Sequence, residues 1–290
     1  MTHPEVLGAT DKVLRLPDGR RLGYAEYGAA EGMPILFFHG APGSRHSIFA
    51  DMAETAALRG VRLIAPDRPG YGLSDPLSGR SVRDWTTDVL ALTNALGIDR
   101  FKLIGFSMGS LYALACAHAQ PAQVEHVAIA GGLAPMSVAG VSTEMSATAR
   151  SLYDLARSDP GALRQAMTPL ANSATDLLAA IAASTPVADQ MLLAARSAWF
   201  EADFSESLRG GIEGIASDFV LAAGEWSFPL AEIKTAVDLW IGTEDRNTPP
   251  AMTRHLASVL SHSQLFELPG EGHFCLYAYW NEILNRLTAN

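Results

Sequence analysis

The stretch Phe101-Lys102-Leu103-Ile104-Gly105-Phe106-Ser107-Met108-Gly109-Ser110-Leu111 leaves this chain few folds to choose from. An apolar run of strand length stops at Gly105, and an Ala/Leu-rich helical pattern starts directly after Gly109. Strand and helix are therefore joined by a very short turn centred on a serine, with glycine two positions to either side. Gly-x-Ser-x-Gly between a strand and a helix is the pattern of a nucleophile elbow. Such a turn leaves almost no room for side chains at Gly105 and Gly109. It holds Ser107 in a sparsely populated backbone conformation with its Oγ clear of the sheet. The helix behind it aims free N–H groups and the positive end of its dipole at the same point, where an oxyanion would develop. Five residues of this kind also occur by chance as a small-residue turn with a solvated serine, so the rest of the chain has to decide.

Upstream, Lys12 to Leu16 and Arg20 to Tyr27 flank Pro17-Asp18-Gly19, which predicts an antiparallel hairpin. Pro34 to Phe38 is a continuous apolar run, suited to a central strand buried on both faces, and it ends in His39-Gly40-Ala41-Pro42-Gly43. A helix from Ser47 to Arg59, a strand Val61 to Pro66, a helix opened by Ser81-Val82-Arg83-Asp84 as a capping box, the elbow strand, its helix and a strand Val124 to Ala130 follow in turn. Strands and helices alternating at this spacing predict a mostly parallel sheet with helices on both faces. The alternation stops after Gly131-Gly132. From 135 to 228 only helical patterns remain, and it resumes with the strand at 236–241, a helix with Thr248 as its cap, the strand Gln264 to Leu268 and a last helix after Phe274. The expected organisation is a core at 1–134 and 229–290 interrupted by a helical lid at 135–228.

At 290 residues and 48% hydrophobic, the chain can bury one large core. With 21 basic against 31 acidic residues and no block of like charge, a net charge of −10 argues against nucleic acid or an anionic membrane as partner. Cys116 and Cys275 have no metal or CxxC spacing, and nothing in the sequence pairs them. Met1 to Glu5 carry neither a basic start nor an apolar run, and no stretch is long enough to cross a bilayer, so a cytoplasmic protein is expected. No metal-ligand set or glycine-rich phosphate loop is present, and no cofactor is expected.

A serine hydroxyl becomes a useful nucleophile only with a base to take its proton and a third group to fix that base's tautomer. Gly242-Thr243-Glu244-Asp245 follows a strand and puts Asp245 at its carboxyl edge, with Glu244 pointing away. Gly270-Glu271-Gly272-His273 follows the last strand and puts His273 on a glycine-hinged loop, whereas His118 is mid-helix and His262 in a polar turn. Donors for an oxyanion would be the backbone N–H groups of Met108 and Ala41.

His39-Gly40 after a buried strand, Asp67-Arg68-Pro69-Gly70-Tyr71-Gly72, Gly105-Phe106-Ser107-Met108-Gly109, Gly242…Asp245…Pro249 and Gly272-His273-Phe274 together resemble the α/β-hydrolase superfamily over nearly the whole chain outside the lid. The resemblance implies an eight-stranded sheet whose second strand is antiparallel, a lid after the sixth strand, and a Ser107–Asp245–His273 triad in that chain order. It also implies that His39, Gly40, Gly105 and Gly109 shape the loops around it. His39-Gly40-Ala41-Pro42-Gly43 is similar to the oxyanion loop of proline iminopeptidases. Ala41 stands where they carry glycine, however, and the elbow lacks their tryptophan, so peptidase activity is not carried over. Ser107 in place of a carboxylate sets the chain apart from haloalkane dehalogenases and epoxide hydrolases. Some relatives place the acid after the sixth strand, where Ala130-Gly131-Gly132 offers no carboxylate.

The expected function is hydrolysis of a carboxylic ester, lactone or related acyl compound through an acyl-enzyme. The same machinery serves amide or C–C hydrolysis and perhydrolysis. The alternative is a ligand-binding sensor or scaffold of the same fold with slow or vestigial hydrolysis. Met167, Leu170, Leu177, Leu178, Trp199, Phe200, Phe204, Phe219, Trp226 and Phe228 in the lid suggest a small-molecule substrate with an apolar part. Arg45 and His46 stand either at the pocket entrance or on the surface. Oligomeric state is not legible.

Overall fold

Loops this short fix most of the topology, and the computed structural model follows them through residues 10–289. Met1 to Glu5, where no leader pattern was read, lie outside that range. β1 (Thr10–Arg15) and β2 (Arg21–Gly28) make the expected antiparallel pair, and β2 continues antiparallel onto β4 (Val61–Pro66). β3 (Met33–Phe38), β5 (Phe101–Phe106), β6 (Val124–Ala130), β7 (Ala236–Gly242) and β8 (Ser263–Leu268) join β4 in a parallel set. The strand order is β1-β2-β4-β3-β5-β6-β7-β8, an eight-stranded, mostly parallel sheet of the α/β-hydrolase kind. Ile35 to Phe38 are wholly buried, because helices cover the sheet on both sides and a parallel strand has no wet face.

The first three helices are α1 (Ala50–Leu58), α2 (Val82–Ala95) and α3 (Gly109–Ala119). The capping box is present at α2, where Asp84 accepts the Ser81 N–H at 2.7 Å. α1 begins three residues later than the sequence suggested. Ser44 to Phe49 instead form turns, with the Ser47 N–H on the Ser44 carbonyl at 3.0 Å and the Ile48 N–H on that of His46 at 2.7 Å.

Between β6 and β7 the described chain forms α4 (Ala147–Ser158), α5 (Pro160–Met167), a 3-10 turn, α6 (Ala174–Ala183), α7 (Val187–Ala195), α8 (Ser197–Ser207) and α9 (Glu213–Ala223). Three buried aspartates on three successive helices tie this insertion to the core. On α7, Asp189 accepts the backbone N–H groups of His273 and Phe274 at 2.8 and 3.0 Å. On α8, Asp203 accepts the hydroxyls of Ser44 and Ser47 at 2.5 and 2.7 Å. On α9, Asp218 receives Arg68 at 2.8 Å, Arg80, the Tyr71 hydroxyl at 2.7 Å and the Tyr112 hydroxyl at 2.5 Å. These contacts explain the turns before α1, since Ser44 and Ser47 are held by the insertion and not by a helix.

α10 (Pro250–Val259), α11 (Cys275–Ala278) and α12 (Trp280–Thr288) complete the chain, the expected last helix being broken in two at Tyr279. Thr248 does not cap α10. The residue flanking that helix is Pro249 and its first residue is Pro250, and the Thr248 hydroxyl is engaged elsewhere, at the Gly131 carbonyl and the Asp245 carboxylate. Cys116 and Cys275 are both buried free thiols. No described helix is long and apolar enough to cross a membrane.

Candidate active site

At the elbow, β5 ends at Phe106 and α3 starts at Gly109, so Ser107 has to reverse the chain within two residues. It does so at φ 52°, the only positive φ among the described non-glycine residues. Two hydrogen bonds of 2.9 Å hold it there: its N–H donates to the Ala130 carbonyl on β6, and its carbonyl accepts from Ser110. A Cβ on Gly109 would overlap the Phe38 carbonyl, and one on Gly105 would lie 2.9 Å from the Ala113 Cβ. Strand and helix touch here, and glycine is what lets them. The Oγ is thereby raised off the sheet at the carboxyl ends of the parallel strands.

Around that oxygen the structure brings together the other two residues read from sequence. His273 Nε2 lies 2.8 Å from Ser107 Oγ, and His273 Nδ1 lies 2.8 Å from Asp245 Oδ2. Asp245 is 1% exposed and is itself fixed, with Oδ1 accepting the N–H groups of Asn247 and Thr248 at 2.8 and 2.9 Å. The Thr248 hydroxyl stands 2.8 Å from Oδ2 and 2.9 Å from the Gly131 carbonyl, so this residue serves the carboxylate and not a helix. With an acceptor at Nδ1, the imidazole carries its proton there and turns the Nε2 lone pair to the serine. Burial alone would lower the imidazole, but the Asp245 charge and hydrogen bond, backed by Asp189, more than offset it, and His273 sits above the ordinary histidine value.

Ala41 and Met108 flank Ser107 on the cavity wall, and neither backbone N–H donates to another group among the described residues. The loop carrying Ala41 is held from beneath by Arg68, whose guanidinium donates to the His39 carbonyl at 2.5 Å and the Gly40 carbonyl at 2.8 Å. His39 is wholly buried. Its Nε2 accepts the Arg68 N–H at 3.3 Å and its Nδ1 donates to the Gly40 carbonyl at 2.8 Å. Burial, with Arg68 beside it, keeps it neutral. His39 and Gly40 therefore shape the loop, while the charge stays on Arg68 and Asp218.

Ser107 opens into a cavity of about 160 Å³ between the sheet edge and the insertion. Met167, Leu170, Leu177, Phe204 and Phe219 line it, as the sequence suggested. Leu178, Trp199, Phe200, Trp226 and Phe228 do not: Trp199 and Phe200 pack on Phe49 and Tyr277, and Trp226 stacks on Phe228 at 5.7 Å. No described lysine or arginine reaches the cavity. Arg45 is neither at the entrance nor on the surface. It is 2% exposed and paired with Asp11, Asp67 and Glu206, while His46 meets Asp11 at 2.9 Å. A wider groove along α4, lined by Met145, Arg150 and Asp154, faces solvent and shares no residue with the Ser107 cavity.

Sequence reasoning missed Thr248, Arg68 and the three aspartates of the insertion. A signal for two of the aspartates was present. Asp203 lies on one helical stripe with Phe200, Phe204 and Ser207, and Asp218 on one with Ile215, Phe219 and Ala222. An acid on an apolar stripe needs a buried partner.

Comparison with known proteins bears on the fold. The model of the alpha/beta hydrolase fold matches residues 33–277. The chain is similar to a proline iminopeptidase of Xylella fastidiosa (32% identity over 136 residues, 44% of this chain and 42% of the relative). It is also similar to a non-heme chloroperoxidase of Streptomyces lividans (34% over 127 residues, 42% and 44%). In each case the match spans less than half the length of the relative. Among solved structures, a hydrolase from Pseudomonas aeruginosa superposes with a TM-score of 0.76 at 19% identity, over 97% of this chain and 99% of that one. A family match across most of the chain, on a sheet of this order with a serine at its elbow, means that the chain belongs to the alpha/beta hydrolase fold family.

Proposed function

We propose that this protein is a serine hydrolase that cleaves a carboxylic ester, lactone or related acyl compound through an acyl-enzyme. The observation that carries the reading is the unbroken hydrogen-bond chain from Ser107 through His273 to Asp245, with 2.8 Å at each step. In this reading His273 Nε2 takes the Ser107 proton as Oγ attacks the acyl carbon, and Asp245 holds the imidazolium that forms. The Ala41 and Met108 N–H groups receive the oxyanion, aided by the N-terminus of α3. His273 then returns its proton to the leaving group. Water, activated by the same nitrogen, releases the acid from Ser107.

A dry apolar cavity of about 150 Å³ takes up a benzene ring. The comparable space beside Ser107, walled mainly by aliphatic and aromatic side chains with Thr148, Ser184 and Asn247 among them and no described lysine or arginine, supports a small-molecule substrate with an apolar part of about six carbons. The names of the relatives bear on the chemistry without settling the bond, since one is a peptidase and one a peroxidase. Addition of a fluorophosphonate to the intact protein, followed by mass, tests the reading. One adduct on wild type and none on Ser107→Ala is expected. No adduct on either would refute an activated serine and leave ligand binding as the function.

A further inference from the structure

The side chain that grips the base most directly from outside the core belongs to the insertion. Asp189 on α7 is 2% exposed, and both its oxygens are committed to the loop that carries His273. Oδ2 accepts the His273 N–H at 2.8 Å and Oδ1 the Phe274 N–H at 3.0 Å, across 84 and 85 residues of chain. A Cβ on Gly272 would overlap this carboxylate, so the glycine before the histidine is what lets the loop close on it. His273 is thus fixed twice, at Nδ1 by Asp245 and at its own backbone by Asp189. Neither residue can substitute for the other: Asp245 sets the tautomer and ring orientation, while Asp189 sets where the ring stands along the loop.

We propose, resting on the serine-hydrolase reading, that Asp189 is a positioning residue for His273, a clamp through which the insertion keeps the base in register with Ser107. Seating of α7 is then a condition for proton transfer, and the base goes slack when the insertion lifts. The clamp also places a second negative charge behind the imidazolium. The titratable groups facing His273 are Asp245 from the loop after β7, Asp189 from α7 and Ser107 from the elbow, with Glu271 and Cys275 beside it on its own loop. Of these, Asp245 and Asp189 raise the imidazole against its burial. Burial in turn raises the Asp189 carboxyl, opposed by the two N–H donors and by His273.

The test compares wild type, Asp189→Asn and Asp189→Ala in the full chain. The readouts are phosphonylation of Ser107 by a fluorophosphonate, kcat and KM on p-nitrophenyl butyrate across the pH range, and melting temperature. Misplacing a catalytic group by an ångström costs about 100-fold. Asp189→Ala is therefore expected to lose about 30- to 100-fold in kcat and in phosphonylation rate, with KM within about 2-fold. Asp189→Asn keeps the volume and one acceptor, so its loss is smaller. Its acid limb moves to lower pH, because removing a negative charge disfavours the imidazolium. Local loosening alone would lower the rate without moving that limb. Unchanged rates and an unmoved limb, a loss confined to KM, or two variants that do not fold would each overturn the proposal, the last by assigning Asp189 to stability alone. An unlabelled wild type would instead bring down the hydrolase reading, and this inference with it, so the two failures are distinguishable.

Discussion

Replacing Asp218 with asparagine tests how the insertion is held. Asp218 is wholly buried and is the carboxylate that Arg68 and Arg80 share, their side chains being 0% and 2% exposed. Arg68 also lies 5.0 Å from the centroids of Tyr71 and Tyr112. Two cations and one anion leave this cluster with a charge of +1. Asp218→Asn raises it to +2 in a fully buried site, and its amide group turns donors toward donors. Breaking a buried pair from one side costs about 3–5 kcal/mol. Unfolding entropy of about 2.1 cal/mol/K per residue gives about 0.6 kcal/mol/K for this chain, so the melting temperature should fall by about 5–8 °C. Arg80→Met removes the surplus cation and brings the cluster to neutrality, so it should cost less than Asp218→Asn despite deleting more contacts. Both are measured by thermal melts at pH 7, with fluorophosphonate labelling as a second readout, because Arg68 also holds the loop of Ala41. A shift under 2 °C for Asp218→Asn, or a larger one for Arg80→Met, would refute the charge argument.

Asp245→Asn should lower kcat by about 10⁴-fold, the size seen when a triad acid forces the wrong tautomer. The Asn247 and Thr248 N–H groups hold the oxygen on their side, so the new amide faces His273 Nδ1 and drives the proton to Nε2; a loss under 10-fold would sink this assignment. Asp203 is pushed up to about 6 by burial, against the Ser44 and Ser47 hydroxyls, from an ordinary 3.8. The folded chain therefore binds this proton more tightly than the unfolded one. Its contribution, up to about 3 kcal/mol, is fully present below about pH 4 and is lost as pH rises through about 6. Relative to Asp203→Asn, wild type should gain stability between pH 7 and 5 in urea melts, and parallel curves would contradict the burial argument. With p-nitrophenyl esters of increasing acyl length, kcat/KM should peak near butanoyl to hexanoyl, as a cavity of about 160 Å³ requires. A steady fall from acetyl onward would exclude an apolar acyl site.

The parts of the site that were legible are those whose cause lies within a few residues. Gly105 announces a tight turn because the clash it avoids is with Ser110 and Ala113 of the helix that follows, whereas the Phe38 carbonyl that Gly109 clears lies on another strand. Asp245 and His273 follow strands whose apolar runs end just before them, and a parallel sheet delivers such ends to one edge. The roles of Asp189, Asp203 and Asp218 were hidden for the opposite reason, although apolar stripes marked the last two as buried. Their partners lie roughly 85 to 160 residues away, on loops that only the finished fold brings near. Arg45 misled because a charged residue beside a catalytic loop looks exposed, until Asp11, Asp67 and Glu206 arrive from three other segments to neutralise it. Thr248 misled because a threonine before two prolines has the outline of a cap, although its hydroxyl turns to Asp245 and the Gly131 carbonyl.

The three aspartates also bear on how this architecture can be recombined. Each sits on a different helix of the insertion, and each is answered by a different part of the core: the serines after β3, Arg68 and its neighbours after β4, and the histidine loop after β8. A chimera that receives residues 135–228 alone would bury three carboxylates with nothing to meet them. A chimera that loses them would strand Arg68 and Arg80. Exchange of this segment between relatives is expected to succeed when the three answering loops travel with it, so the heritable module is discontinuous in sequence although contiguous in space.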